Sequence, residues 1–317
     1  MKRRDFIRHS AALGVIAALP SCTRGGVQAK SANEVRAKSD ETAPAITNPL
    51  KAPDKGMIPV AFVVSEGTVM IDFAGPWEVF NNVMIPSRGK TMEDQMPFQT
   101  YVVAQTLKPV SMEGVKIVPQ YTFENAPAPK VVVIPAQQGA NKAMSDWIVR
   151  VTKSTDVTMS VCTGAFVLAS TGLLAGKPAT THHAAYKSFA MQFPDVKVKR
   201  GVRFVEDGNL ATSGGLSSGI DLALHVVDRY FGRKVASDAA YNLEYQGQGW
   251  INPDTNAVYL QTAVSTDAHP LCPVCSMEVD GSTAPKSVYN GKTYYFCSAD
   301  HKAQFDSAPE KWVSELR

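Results

Sequence analysis

The chain has 317 residues, of which 44% are hydrophobic and 19% charged. This composition is that of a globular protein with enough apolar material for a sizeable core, and it excludes disordered, collagen-like and low-complexity proteins. The formal charge of +3 comes from the first 21 residues, because the rest of the chain has 28 basic and 28 acidic side chains. A partnership with nucleic acid is therefore not expected.

The first 22 residues predict an export signal. A basic stretch at residues 2–8 resembles the twin-arginine motif, and the apolar residues 11–19 are too few to span a membrane, which takes roughly 20 residues. The four residues that end in Cys22 resemble a bacterial lipobox, in which that cysteine becomes lipid-modified; a plain cleaved signal with an incidental cysteine is the alternative. We therefore expect an exported, periplasmic lipoprotein that is anchored to the membrane of a bacterium.

Residues 23–56 are polar and lack apolar periodicity, which predicts a flexible tether. From Pro59 onward, short apolar runs typical of strands buried on both faces alternate with helical patterns. The predicted strands are residues 60–64, 98–104, 131–135 and 157–161, and the predicted helices are residues 76–83, 142–152, 163–171, 184–193 and 219–231. The alternation predicts an α/β fold with a doubly wound, mainly parallel sheet of the flavodoxin-like kind, and places function at the C-terminal ends of its strands.

The strand predicted at residues 157–161 runs directly into Cys162, and a helix is predicted to start at Thr163 and Gly164. This arrangement is typical of a nucleophile elbow, in which a sharp turn exposes the nucleophile above the sheet. The amides and the dipole of a helix N-terminus favour a thiolate and can also bind a developing oxyanion. A buried structural cysteine is the alternative, because free cysteine packs as a small hydrophobe.

Three groups of motifs, in this order, resemble the ThiJ/PfpI family of the class I glutamine-amidotransferase-like superfamily. They are IDFAGPWEVF at residues 71–80, SVCTGA with GLLAG and ATTH at residues 160–182, and ATSGG with GIDLAL at residues 211–224. The resemblance covers about residues 58–245 and is greatest to isonitrile hydratases and to the amidase-like sensor half of AraC-type regulators. No helix-turn-helix pattern follows Tyr245, so a DNA-binding regulator is not expected.

The resemblance implies a catalytic group around the elbow. Cys162 would be the nucleophile, Asp72 the proton-transfer group beside its sulfur, and Thr163 a donor through its hydroxyl or its amide. Asp72 is also a candidate helix N-cap, because it lies just before the predicted helix start. His182 would be the histidine near the cysteine, and His183 is expected at the surface, although the sequence does not decide which imidazole faces the pocket.

The loop after the third predicted strand departs from the family pattern, because PAQQG occupies residues 135–139 where many relatives have consecutive glycines. Glycine amides of that loop often form part of the oxyanion site. The resemblance therefore implies an oxyanion pocket made by Gln138, Gly139 and Gly164, whose shape the glutamines would alter. It further implies a small-molecule substrate, no cofactor in this domain, and a homodimer.

Residues 249–267 are polar and predict a linker that follows a first domain of residues 57–248. The remaining segment, residues 268–317, contains four candidate metal ligands: Cys272, Cys275, Cys297 and His301. Three thiolates and an imidazole suit a structural zinc site in number and in kind, and such soft ligands also suit copper.

Two local patterns place these ligands in space. Cys297 and His301 lie four residues apart, so that one helical turn would present both on the same face. Asn290 and Gly291 predict the tight turn of a β-hairpin between the two pairs of ligands. We therefore expect a small α+β module, too short to build a dependable core without a staple such as a metal ion.

The segment resembles the YHS domain, a small metal-associated module related to the TRASH family. The resemblance rests on CPVCSM at residues 272–277, YNGKTYYFC at residues 289–297 and PEKW at residues 309–312. Ser276 and His301 depart from the common pattern, which has glycine and cysteine there, and histidine is still an acceptable ligand. Bound zinc or copper is therefore expected, and a disulfide between the first two cysteines is the alternative.

Overall fold

The computed structural model describes residues 46–260 and 265–313. The predicted export signal with Cys22 and most of the predicted tether lie outside these residues. In the part of the chain described, no helix combines the length and the apolar character that crossing a bilayer requires.

A seven-stranded sheet forms the centre of the larger domain. Its strands have the order β10-β11-β7-β6-β1-β2-β5, and every neighbouring pair is parallel except β10 and β11. The bounds in chain order are β1 Ile58–Val63, β2 Phe98–Ala104, β3 Val110–Met112, β4 Val115–Ile117, β5 Tyr121–Thr122, β6 Val131–Ile134, β7 Val157–Val161, β8 Pro178–Ala179, β9 Lys197–Val198, β10 Phe204–Asp207, β11 Leu210–Ser213, β12 Lys286–Tyr289 and β13 Lys292–Tyr295.

Helices cover both faces of this sheet, as the sequence predicts. The bounds are α1 Met70–Asn81, α2 Met92–Gln95, α3 Lys142–Thr152, α4 Gly164–Ser170, α5 Tyr186–Gln192, α6 Ser218–Phe231, α7 Arg233–Asn242, α8 Ala299–Ser307 and α9 Pro309–Val313. Side chains of α1, α6 and α7 form one core with the sheet, and side chains of α3, α4 and α5 form the other. The prediction of a doubly wound, mainly parallel sheet is confirmed.

Strand β1 shows why the buried strands have continuous apolar sequences. Val60 and Phe62 belong to the core on one face of the sheet, whereas Ala61 and Val63 belong to the core on the other. Successive side chains of a strand point to opposite faces, so a strand with helices on both sides needs an apolar residue at every position.

Helix α1 begins six residues earlier than the sequence predicts, at Met70 instead of Pro76. Proline favours the first turn of a helix, which is why the sequence predicts a start there, but Pro76 lies inside α1. The N-terminus of α1 is capped by a residue distant in the sequence, because the Met70 amide donates to Oε2 of Glu113 at 3.1 Å. Glu113 lies in the turn between β3 and β4, so the β3–β4 hairpin holds the N-terminus of α1.

The first part of the predicted linker packs against the larger domain. Trp250 is buried in the core that contains α6 and α7. The Arg203 amide donates to the carbonyl of Pro253 at 2.6 Å, and the Asn256 amide donates to the carbonyl of Gly201 at 3.1 Å. Residues 249–256 therefore contribute to the structure around the end of the sheet.

The C-terminal segment forms the expected α+β module. Its hairpin pairs β12 with β13, and Asn290 and Gly291 have φ angles of 51° and 75°. Positive φ at both central residues is the geometry that the Asn-Gly dipeptide predicts. The core consists of six buried side chains: Cys272, Val274, Tyr294, Phe296, Phe305 and Trp312.

The module packs against helix α5 of the larger domain. Met191 of α5 contacts the module's core. The Lys187 ammonium donates to the carbonyl of Trp312 at 2.6 Å and lies 5.5 Å from the centroid of the indole ring. These contacts combine apolar packing with a charge-assisted hydrogen bond and a cation–π contact.

Candidate functional site

Cys162 stands on a tight junction between β7 and α4. Its φ angle is 58°, a left-handed conformation that is strained for a residue with a Cβ atom. Two hydrogen bonds hold this backbone: the Cys162 amide donates to the carbonyl of Gly214 at 2.9 Å, and the Thr181 hydroxyl donates to the Cys162 carbonyl at 3.0 Å. The junction has the strand–turn–helix geometry of a nucleophile elbow.

Gly164, the first residue of α4, allows the elbow to approach strand β6. A Cβ atom at this position would lie 2.1 Å from the carbonyl oxygen of Ile134 and 2.8 Å from that of Pro135. Both contacts are with backbone atoms, which cannot move without displacing the strand. The sequence predicts that Gly164 forms part of the oxyanion pocket. In the structure, glycine is required here because the chain packs closely against β6 beneath the nucleophile.

Asp72 is fully buried and faces the elbow from the first turn of α1. Its Oδ2 accepts a hydrogen bond from the Ala136 amide at 3.1 Å, and the interaction of its carboxyl with the Cys162 thiol lowers the pKa of the carboxyl. Within the described residues, Oδ1 has no nitrogen or oxygen partner. The alternative interpretation of Asp72 as a helix cap is wrong, because Val69 occupies the cap position and Asp72 bonds to the loop after β6.

Burial raises the pKa of Asp72 from 3.8 to about 7. The hydrogen bonds from the Ala136 amide and the Cys162 thiol lower the pKa without cancelling that effect, and the charge of Glu113 raises it further. A carboxyl with this pKa is present in both protonation states near neutral pH. It is therefore suited to accept a proton and return it.

Burial, followed by the charge of Asp72, raises the pKa of the Cys162 thiol to about 12. The amides of Thr163 and Leu216 donate to the sulfur and lower this pKa, but their effect is smaller than that of burial. The expectation of a thiolate stabilised by the helix N-terminus therefore fails for the resting site, which holds a thiol. Thr163 acts here through its amide, and its hydroxyl makes no capping hydrogen bond.

His182 lies beside the elbow, whereas His183 is exposed. The His182 ring packs so closely on Gly215 that a Cβ atom there would lie 2.3 Å from its Cδ2. Its Nδ1 accepts the Ala184 amide at 3.3 Å, and burial lowers its pKa, so the ring is neutral near pH 7. His183 stacks on the ring of Tyr259 at a centroid distance of 4.5 Å.

The loop after β6 supports Asp72, and its glutamines lie to one side. Gln138 is exposed, its side chain packs over Gly67, and its amide donates to the carbonyl of Glu66 at 3.1 Å. Gly139 is exposed as well. Gln137 turns inward, and its side-chain amide donates to the carbonyl of Val63 at the end of β1 and to that of Pro135 just after β6, at 3.1 Å each. The described contacts of Gln138 are thus with the loop after β1, and a Cβ atom at Gly139 would meet nothing within 4 Å.

Four groups at the elbow are absent from the sequence-based prediction. They are the Leu216 amide, the Thr181 hydroxyl, the Ala136 amide and the Glu113 carboxylate. Two of them act through backbone amides, which carry no residue-type signal. The positive φ angle of Leu216, 47°, follows two glycines, and that Gly-Gly pair is the one local hint of a tight loop.

The four candidate metal ligands converge in the C-terminal module. Their ligand atoms all lie within 4.8 Å of one another. Cys272 Sγ is 3.6 Å and Cys297 Sγ is 3.0 Å from Nδ1 of His301, and the sulfurs of Cys275 and Cys297 are 3.5 Å apart. Zinc at about 2.3 Å from sulfur and 2.0 Å from nitrogen would give edges of about 3.5–3.8 Å in a tetrahedron.

The donor set and spacing therefore fit one zinc-sized ion. The alternative of a disulfide between Cys272 and Cys275 is not supported, because both are free thiols. The pKa of Cys272 is lowered to about 4, first by the hydrogen bond from the Cys275 thiol and then by backbone amides around the turn. A thiolate held by amides in this way is a ready metal ligand.

Two backbone features shape this cluster. Ser276 has a φ angle of 60°, which explains why glycine is common at this position in similar modules. Cys297 lies before helix α8, so the prediction that one helical turn carries both Cys297 and His301 is wrong. Ser298 caps the helix by accepting the His301 amide at 3.2 Å, and this cap brings the two ligands together.

Comparison with known proteins identifies relatives of both parts. A model of the DJ-1/PfpI family matches residues 59–229, and a model of the YHS domain matches residues 272–315. Isonitrile hydratase of Pseudomonas putida is 33% identical over 192 residues, which are 59% of this chain and 78% of that protein. A crystal structure of a ThiJ/PfpI family protein from Pseudomonas syringae has a TM-score of 0.53 and 26% identity, and covers 67% of this chain and 85% of that one.

A group of regulators matches a smaller part. The HTH-type transcriptional regulator GbdR of Pseudomonas aeruginosa is 27% identical over 129 residues, which are 39% of this chain. The match covers 35% of the regulator, so this chain spans about a third of its length.

Proposed function

Because this chain belongs to the DJ-1/PfpI family, we propose that it is a cysteine-dependent hydratase or hydrolase of a small carbon–nitrogen or acyl substrate. The observation that carries the proposal is the pairing of Cys162 with Asp72, whose pKa of about 7 lets it exchange protons with the thiol. The identity of 33% to an isonitrile hydratase supports a carbon–nitrogen substrate.

An isonitrile illustrates the chemistry that this pair can perform. The sulfur of Cys162 bonds to the terminal carbon, Asp72 accepts the thiol proton, and the same proton passes to that carbon, which leaves a thioimidate on the enzyme. Water then adds to the carbon, the carbon–sulfur bond breaks, and the sulfur regains a proton. The net reaction adds one water to the isonitrile and yields an N-substituted formamide.

The amides of Thr163 and Leu216 assist the step in which the sulfur loses its proton. Both donate to the sulfur, so they stabilise negative charge there when it develops. The neutral ring of His182 packs on Gly215, next to Leu216 in the loop after β11. The thiol thus stays protonated at rest and becomes nucleophilic as Asp72 takes its proton.

Residues 272–315 form a YHS domain whose Cys/His cluster would hold the metal ion. We propose zinc or copper as that ion, because soft thiolate and imidazole ligands suit both. The bound ion would connect the turn at Cys272, the end of the hairpin and helix α8. The ion would have a structural role in the module, and the reaction proposed at Cys162 does not require it.

We also propose that the protein is exported and membrane-anchored through Cys22, and that it forms a homodimer through the larger domain. The first proposal rests on the basic, apolar and lipobox-like patterns of residues 1–22. The second rests on the family resemblance.

A second candidate function is ligand or metal sensing in the periplasm without turnover. The high pKa of Cys162 and the preformed Cys/His cluster favour it. Turnover of a small alkyl isonitrile by the purified full chain, followed as formamide release, separates the two candidates.

We expect Cys162→Ser to abolish that turnover, because the hydroxyl that replaces the thiol is a far weaker nucleophile. The change is nearly isosteric, so the variant should keep its fold. Cys275→Ser is the matched control, since it removes a thiol of the metal cluster and leaves the elbow intact. Activity that persists in Cys162→Ser, or no activity towards any carbon–nitrogen or acyl substrate, would favour the sensing function.

A further inference from the structure

A buried polar network joins the segment after α7 to the loop between β11 and α6. At its centre is Arg203, whose guanidinium binds Oδ2 of Asp221 at 2.5 Å. The same guanidinium donates to Oγ of Ser217 at 3.1 Å and to Oδ1 of Asn256 at 3.3 Å. One side chain therefore bonds to the start of α6 and to the segment that the sequence predicts to be a linker.

Asp221 is the acidic partner of this network, and its side chain is 1% exposed. Its second oxygen, Oδ1, accepts the Tyr245 hydroxyl at 3.0 Å and the Trp250 amide at 3.1 Å. All its strong acceptor directions are thus used within the protein. A buried ion pair with this many hydrogen bonds is rigid, and breaking it leaves a charge without compensation.

A short chain of backbone hydrogen bonds leads from this network to the elbow. The Gly214 amide donates to the carbonyl of Arg203 at 2.9 Å, and the Cys162 amide donates to the carbonyl of Gly214 at 2.9 Å. Two residues further on, Leu216 holds a left-handed φ angle of 47°, and its backbone amide lowers the pKa of the Cys162 thiol. A residue with a Cβ atom keeps such a conformation only where its surroundings fix it.

We propose that Arg203 is a positioning residue for Cys162: with Asp221 and Asn256 it holds residues 214–218 in the conformation that keeps the Gly214 carbonyl on the Cys162 amide and the Leu216 amide beside the sulfur. Arg203 does not touch the reacting atoms. It acts through the loop, and residues 249–256 take part because they supply Asn256 and the Trp250 amide. This inference deepens the proposed function and rests on Cys162 being its nucleophile.

The test is the pH profile of alkylation of Cys162 in the full chain carrying Arg203→Lys. Iodoacetamide is the reagent, and mass spectrometry follows the peptide that contains Cys162, so that the cluster thiols do not interfere. Lysine keeps the charge but cannot reach three partners with a planar fork. We expect the profile to shift to higher pH and the rate at pH 9 to fall about tenfold, the loss of one hydrogen bond to a charged group.

Arg229→Lys is the matched control. Arg229 forms a comparably buried ion pair, with Oε1 of Glu206 at 2.6 Å, and donates to the carbonyl of Asn48, away from residues 214–218. We expect a similar loss of thermal stability and an unchanged alkylation profile. Equal shifts in both variants, or a faster rate at every pH without a shift, would mean general loosening and would overturn the proposal.

Tyr245→Phe provides a second test if Arg203→Lys does not fold, because it removes one hydrogen bond from Asp221 and no charge. We expect a smaller shift in the same direction, and no shift would overturn the inference. The proposed function can fail separately. If the alkylation profile shifts in a protein that shows no turnover, Arg203 is still a positioning residue for Cys162, but the hydratase function is wrong.

Discussion

Asp72 is the residue at which stability and chemistry conflict most directly. A carboxyl that is fully buried, with one oxygen on the Ala136 amide and the other without a nitrogen or oxygen partner among the described residues, favours its neutral form. The same shift brings its pKa to about 7, where proton transfer at neutral pH is most efficient. The site thus keeps a destabilising carboxyl at a position where burial alone would favour an apolar side chain.

The conflict predicts how Asp72→Asn changes stability with pH. The carboxyl has a pKa of 3.8 unfolded and about 7 folded, so the folded protein binds more protons between these values. The neutral carboxyl contributes favourably to the free energy of unfolding below pH 4. Up to about 4 kcal/mol of this contribution is lost as the pH rises through 7. We expect Asp72→Asn to melt higher than wild type at pH 8 and similarly to it at pH 4.

Thermal unfolding of both proteins at the two pH values measures this difference, in which the titration of all other groups cancels. The same substitution should slow turnover by about 100- to 10,000-fold, because the amide cannot carry the proton. A melting-temperature difference that does not depend on pH would mean that Asp72 has an ordinary pKa.

At the scale of elements, the elbow depends on how closely β6, β7 and the start of α4 approach one another. Cys162 adopts a left-handed backbone conformation, which turns the chain from β7 into α4. Gly164 has no side chain, so this turn can pack on the end of β6. The nucleophile and the Ala136 amide that holds Asp72 are brought together by this packing. A change in the junction should therefore affect fold and site together.

Gly164→Ala tests this packing. The new Cβ would lie 2.1 Å from the Ile134 carbonyl oxygen, and the backbone must shift to relieve the overlap. We expect a loss of about 3 kcal/mol or more in the free energy of unfolding, measured by denaturant titration. Ser170→Ala, at the other end of the same helix, should cost under about 1 kcal/mol, and equal losses would show that the junction is loose.

At the scale of the whole molecule, a small module with a Cys/His cluster is packed on a larger α/β domain. The module has a core of six buried side chains, and two of its apolar residues, Met277 and Val288, are 55% and 72% exposed. So small a core needs a staple, and ion binding would provide much of its folding free energy. The larger domain has two extensive cores of its own.

We therefore expect chelation to unfold the module and to leave the larger domain folded. Hydrogen exchange of the full chain, with and without a chelator, should show loss of protection in residues 268–313 only. Elemental analysis of anaerobically purified protein should find one zinc or copper ion per chain, lost in the Cys275→Ser, Cys297→Ser double variant and kept in Cys162→Ser. A metal-free module that stays protected and titrates two fewer thiols would contradict this expectation and indicate a disulfide.

The location of the protein is tested by fractionation of cells that express the full chain. We expect the mature protein in the membrane fraction, and Cys22→Ala should release it or block its processing. Replacement of Arg3 and Arg4 by lysine should impair export by the twin-arginine route. Normal export after that replacement would indicate the general secretory route instead.

Sequence alone determined the features that depend on local pattern. The continuous apolar run of β1 predicts a strand buried on both faces, since alternate residues such as Val60 and Ala61 face different cores. Residue type and spacing likewise identify Cys162 as the residue of the elbow and the four candidate metal ligands of the C-terminal module. Each of these signals is carried by neighbours in the chain, so it can be read without coordinates.

Only the tertiary structure decided the features that depend on distant partners. Glu113 sets the start of α1 from a separate hairpin, and the Leu216 amide reaches the Cys162 sulfur from the loop after β11. Burial, which no short pattern reveals, raises the pKa of both Cys162 and Asp72 and turns the expected thiolate into a thiol at rest. The physical reason is that desolvation and long-range hydrogen bonds depend on which segments pack together in the folded chain.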